Sequence, residues 1–161
     1  MFKLFKKTDE KCILFAPVNG KTIALENVPD KVFANKMMGE GMGFEFEGNT
    51  VYAPCDGKIS LVANTLHAVG ITSENGVEVL IHIGLDTVNL NGNGFKKLIN
   101  SGDKIKAGTP LIKIDRQFMK EKNVNLITPM VITNTANYEI NFIDEGKDVT
   151  IEEEVISCRK K

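Results

Sequence analysis

The sequence has no tryptophan, only two histidines and three cysteines, and no surplus of either charge: 20 Lys and Arg stand against 21 Asp and Glu, a formal net charge of -1. With a pI near 6.1 there is no global positive field of the kind that holds nucleic acid. No stretch approaches the ~18–20 consecutive apolar residues of a membrane span, and the apolar run Cys12 to Val18 is broken by Pro17 without a small-residue cleavage site after it. Cys12, Cys55 and Cys158 are far apart in sequence, odd in number and never in a Cys-x-x-Cys pair. This usage fits a reducing compartment, the cytoplasm, better than a disulfide framework. Also missing are a Walker A loop, a Gly-x-Ser-x-Gly nucleophile elbow and any run of carboxylates at metal-ligand spacing.

What remains is ordinary globular composition in 161 residues, 42% hydrophobic and 25% charged, enough for one compact domain with a core. Met1-Phe2-Lys3-Leu4-Phe5-Lys6-Lys7 interleaves apolar and basic residues in the way of a surface-lying helix. Seven residues make a weak anchor, because isolated helices shorter than ~12 residues are marginal in water. Residues 1–12 are therefore expected to be a flexible segment with weak or no membrane contact, and 13–161 a single domain.

The chain repeats itself once. Ala16-Pro17-Val18-Asn19-Gly20-Lys21 returns as Ala53-Pro54-Cys55-Asp56-Gly57-Lys58, which reads as a strand entering a tight turn whose glycine supplies a positive φ. Short apolar runs at 50–53, 69–72, 77–83, 109–114, 130–133 and 148–151 are punctuated by Gly, Asn and Asp. That pattern predicts an all-β fold, an antiparallel sandwich or barrel with internal pseudo-symmetry and a few short helical turns. Helical turns are expected at 29–38, at 94–100 and at 116–123, where Asp115 makes a good N-cap. Gly39-Glu40-Gly41-Met42-Gly43 reads as turn chemistry, since it lacks phosphate-loop spacing.

Chemistry concentrates at the two histidines. Alternation along Val77 to Ile83 puts Val77, Val79, Ile81 and Ile83 on one face and Glu78, Leu80 and His82 on the other. Gly84 and Asp86 follow, bringing a backbone carbonyl and a carboxylate near the His82 ring. His67 has Thr65 two residues earlier, on the same side of an extended backbone, with a hydroxyl able to orient the imidazole. Taken singly, a histidine in a strand is more often a hydrogen-bonded structural residue than a site, and His67 by itself is also a weak signal. On neighbouring strands the two would pair a nucleophile with a donor that stabilises developing charge.

Several strings together carry a resemblance: the doubled Ala-Pro-x-Asn/Asp-Gly-Lys frame, Val28 to Gly41, Leu66-His67-Ala68, and above all the block Glu78 to Phe95. The chain from about Ile13 onward resembles the glucose-family enzyme IIA of the bacterial phosphoenolpyruvate-dependent sugar phosphotransferase system. The resemblance implies an antiparallel β-sandwich with a duplicated Greek-key-like motif. It makes His82 the phosphorylated nucleophile, taking a phosphoryl group from the phosphohistidine of HPr and passing it to a cysteine on the IIB domain of a glucose-type sugar permease. It makes His67 the stabiliser of the phosphoryl oxygens, Thr65 the residue that orients His67, and Gly84 the carbonyl that accepts from His82 Nδ1–H.

The same resemblance places Asp30 and Asp86 where acidic residues meet a basic side chain of HPr, and Val32, Phe33, Met37, Met38 and Leu80 on an apolar docking rim. Lys31, Ala63 and Val69 look smaller or more polar than rim residues of some relatives. No cofactor is required. Some relatives bind metabolic enzymes or permeases as regulators, and in one such complex the two histidines share a zinc ion with a partner. Here zinc at His67 and His82 would need partner or water ligands. A regulatory binding module is the alternative function. A cell-wall zinc peptidase is disfavoured because Gly84 stands where a second ligand would be, and a biotinyl carrier because Lys36 falls in an expected helical turn.

Overall fold

The structure is a computed structural model and describes residues 11–161. The strands are β1 (Lys11–Phe15), β2 (Gly20–Ala24), β3 (Glu40–Phe46), β4 (Thr50–Tyr52), β5 (Gly57–Val62), β6 (Ala68–Ser73), β7 (Glu78–His82), β8 (Phe95–Lys97), β9 (Lys104–Ile105), β10 (Pro110–Ile114), β11 (Thr128–Ile132), β12 (Tyr138–Phe142), β13 (Asp148–Val149) and β14 (Glu154–Lys160). Two short helices, α1 (Lys31–Ala34) and α2 (Arg116–Glu121), and three 3-10 turns complete the described elements. This is the expected antiparallel all-β fold. The expected flexible segment lies outside the described residues except at its end, where Lys11 and Cys12 already belong to β1, paired with Arg159 and Cys158 of β14.

The eight-stranded sheet runs β13-β2-β3-β11-β7-β6-β5-β9, flanked by β1-β14-β12 and β4-β10-β8. That order is a palindrome: a pseudo-twofold between β11 and β7 exchanges β2 with β5, the two strands that begin in the repeated Gly-Lys. The repeats bond reciprocally, Phe15 N–H to the Pro54 carbonyl and Tyr52 N–H to the Pro17 carbonyl, both at 2.8 Å. The repeated glycines have a different use from the one expected. Neither Gly20 nor Gly57 has a positive φ. A Cβ on Gly20 would sit 1.9 Å from the Glu45 carbonyl oxygen and one on Gly57 2.3 Å from that of Thr72, so each glycine is required by the close approach of a neighbouring strand.

Two other expectations change. Residues 95–97 form strand β8, because Phe95 pairs with Ile114 and its side chain enters the core. The Gly39–Gly43 run lies largely in β3, where Gly41 admits the β11 backbone and Gly43 admits the Val28 side chain. The helix at 116–121 forms as predicted, with the Asp115 carboxylate accepting from Phe118 N–H at 3.0 Å.

The main core lies between the large sheet and the two small ones, built on Leu14, Phe44, Ile71, Ile81, Ile112, Met130 and Ile156. Val69 is fully buried within it rather than on a rim. The outer face of the central strands carries a second cluster, Leu25, Val28, Phe33, Leu85 and Val131, with Ile23, Leu80 and Ile127 packed beside it. Segment 25–34 thus folds over β7 and β11 and makes an apolar floor on the face to which alternation turns His82.

Candidate active site

Antiparallel pairing of β6 with β7 sets Ala68 opposite His82. His67, one residue earlier, reaches across through its carbonyl, which accepts from Ile83 N–H at 2.6 Å. The imidazole centroids are consequently 4.9 Å apart with the rings edge to face. Phe33, presented by α1, lies 5.0 Å from the His82 centroid with its ring tilted against the imidazole. Both histidines are half-buried.

Each ring is oriented through Nδ1. His82 Nδ1 is 2.8 Å from the Gly84 carbonyl oxygen. A carbonyl only accepts, so Nδ1 carries the proton and, in the neutral ring, Nε2 keeps its lone pair. His67 Nδ1 is 2.6 Å from the Thr65 hydroxyl, a group able to donate or accept. With Thr65 donating, His67 presents Nε2–H as a donor.

Burial draws the His82 pKa below the ordinary histidine range, opposed by the Gly84 carbonyl and by the charges of Asp30 and Asp86. His67 is lowered by burial and then by repulsion from His82. The pair is thereby biased toward neutral rings, the state in which an imidazole nitrogen attacks. Backbone outliers flank both: Leu66 has φ 61° and Asp86 φ 59°, a left-handed conformation that is uncommon outside glycine and that concentrates at functional sites.

The structure brings His67, His82, Thr65, Gly84, Phe33 and Leu80 to one place. Asp30 caps α1 by accepting from Val32 N–H at 2.9 Å and, like Asp86, acts on His82 through its charge. Val32, Met37 and Met38 are exposed on α1 and the turn after it, Met37 to 71%. Sequence reasoning missed Leu85, Thr87, Asn125 and Thr128, which hold the turn beneath the site. Thr87 at least sits inside the block that carries the resemblance, whereas nothing in the sequence ties Thr128 to His82. Two imidazoles supply at most half of a tetrahedral zinc site. Among the described residues no group of three or more His, Cys, Asp or Glu is placed to hold a metal.

A family model described as phosphoenolpyruvate-dependent sugar phosphotransferase system, EIIA 1, matches residues 12–138. The chain belongs to this family. It is 43% identical over 149 residues to the PTS system glucose-specific EIIA component of Staphylococcus epidermidis, which covers 92% of this chain and 90% of that protein; the same protein from a second strain of that species matches equally. Among solved structures, the glucose permease IIA from Mycoplasma capricolum superposes with a TM-score of 0.86 at 33% identity, over 92% of this chain and 96% of the other. This EIIA chain is thus a phosphotransferase-system component, and no described helix is long and apolar enough to cross a membrane.

Proposed function

We propose that the chain is a cytoplasmic phosphocarrier of the glucose type, in which His82 Nε2 attacks the phosphorus of phospho-HPr. The N–P bond to the HPr histidine breaks as the bond to His82 forms, and the same phosphoryl group then passes to a IIB cysteine of a sugar permease. The observation that carries this reading is the pair of imidazoles, one with Nδ1 committed to the Gly84 carbonyl and Nε2 left free, the other held by Thr65 within reach of a group on that nitrogen. Phosphoryl transfer needs positioning and charge stabilisation more than strong acids or bases, so two rings suffice. Donor and acceptor dock in turn on the rim of Val32, Phe33, Met37, Met38 and Leu80, with Asp30 and Asp86 meeting basic side chains. Such a ring excludes water from the transfer. Zinc at the two rings requires ligands brought by a partner or by water.

The test is incubation with phosphoenolpyruvate, enzyme I and HPr, followed by assay for acid-labile, base-stable phosphate. Label is expected on the natural chain and absent in His82→Ala. His67→Gln is expected to accept label and to fail in passing it to IIB. Absence of HPr-dependent label on the folded chain would replace this reading with that of a regulatory binding module.

A further inference from the structure

The Gly84 carbonyl orients His82 only if it is itself held, and Gly84 is a glycine at φ 76° with no side chain to hold it. A peptide unit is planar, so fixing one end of the unit aims the other. Three contacts fix the two units on either side of Gly84. In the unit between Ile83 and Gly84, the Thr87 hydroxyl donates to the Ile83 carbonyl, and Gly84 N–H donates to the Thr128 hydroxyl at 3.4 Å, a long bond. In the unit between Gly84 and Leu85, Leu85 N–H donates to the Asn125 carbonyl at 2.8 Å. The carbonyl of that unit, on the opposite side, points at His82 Nδ1.

Two of these contacts depend on threonine hydroxyls. Both threonines are completely buried, where a hydroxyl without a partner costs free energy. Thr128 in turn donates to the Leu126 carbonyl at 3.0 Å, linking the Gly84 turn to the loop before β11. The Thr87 methyl stands 2.6 Å from where a Gly84 Cβ would be, so it fills the space above the turn.

We infer that Thr87 and Thr128 are positioning residues that set the His82 tautomer by fixing the peptide plane that enters Gly84, while the Asn125 carbonyl holds the plane that leaves it, and so aim Nε2 at the incoming phosphoryl group. The catalytic consequence rests on the phosphocarrier reading; the tautomer does not. The test is therefore read on the ring first. In 15N-imidazole spectra near neutral pH, natural His82 is expected to be protonated at Nδ1. Thr87→Val and Thr128→Val, which keep size and lose the hydroxyl, are expected to give a mixture with the Nε2–H form. Thr87→Ser and Thr128→Ser are expected to restore Nδ1–H, and the His67 ring serves as the internal control of folding.

On the same samples, phosphoryl uptake from phospho-HPr is expected to fall roughly tenfold or more in the valine variants, the usual cost of losing a group that orients a reacting ligand. Folded valine variants with an unchanged His82 ring overturn the inference, and should one of the two not fold, the other decides it. A shifted ring in the valine variants, together with a natural chain that takes up no phosphate from phospho-HPr, supports the clamp and overturns the phosphocarrier reading.

Discussion

His82 is poised between burial, which disfavours its cation, and three groups that favour it. Removing one of the latter tips the balance further: Asp86→Asn is expected to move the His82 titration midpoint to lower pH in an NMR titration, with His67 moving less. Both rings titrate below the ordinary value near ~6.5 that they regain on unfolding. The unfolded chain therefore binds more protons as pH drops below ~6.5, and stability declines with it until the folded rings also protonate. Above ~6.5 the pair costs nothing on this account. The urea midpoint should fall more steeply between pH 7 and 5 in the natural chain than in a His67→Gln, His82→Gln double variant; equal slopes would mean that other groups carry the acid sensitivity.

Among the elements, the two repeated glycines give the sharpest expectation. Gly20→Ala and Gly57→Ala each push a methyl into a neighbouring carbonyl and should lower stability by about 1–3 kcal/mol in urea titrations, the usual cost of overpacking. Gly48→Ala, with open space around it and no positive φ, is the control, expected to be neutral or to gain up to about 1 kcal/mol through the unfolded chain. Asp115→Ala should cost about 1 kcal/mol by removing the cap of α2. These elements also show what sequence can and cannot reveal. Alternation around His82 and the Asp115 cap are local signals and were legible. Residues 94–100 carry helix-compatible composition, yet pairing of Phe95 with Ile114 overrides it. Repetition marks the two glycines in the sequence, but their physical reason, contact with a strand paired through tertiary structure, is invisible to local pattern.

In the whole molecule, long-range pairing unites what sequence keeps apart. Cys12 and Cys158, near opposite ends of the chain, stand in register across β1 and β14, and Cys55 is close enough to feel both. Burial pushes the Cys55 and Cys158 thiols up to about 12. All three thiols are free and buried, so they should resist an aromatic disulfide reagent in the native protein and all react in denaturant. Rapid native labelling would contradict this packing. The duplication has a similar reach: β11, counterpart of β7 in the palindromic sheet, carries no histidine, so one half of a doubled frame holds both rings and the other half supports them. His67 and His82 were legible as candidates. Their meeting, and the Thr128 contact beneath them, needed the fold.

Lys11 and Arg159 face each other across β1 and β14. Because the first and last described strands run side by side, the backbone is nearly a closed circuit. A short glycine linker from Lys161 to Lys11, with new ends opened between the exposed Ser101 and Gly102, should yield a permuted protein that folds and keeps the two imidazoles edge to face. By the same geometry, a polypeptide could receive this domain in mid-chain and continue from nearly the point at which it was interrupted.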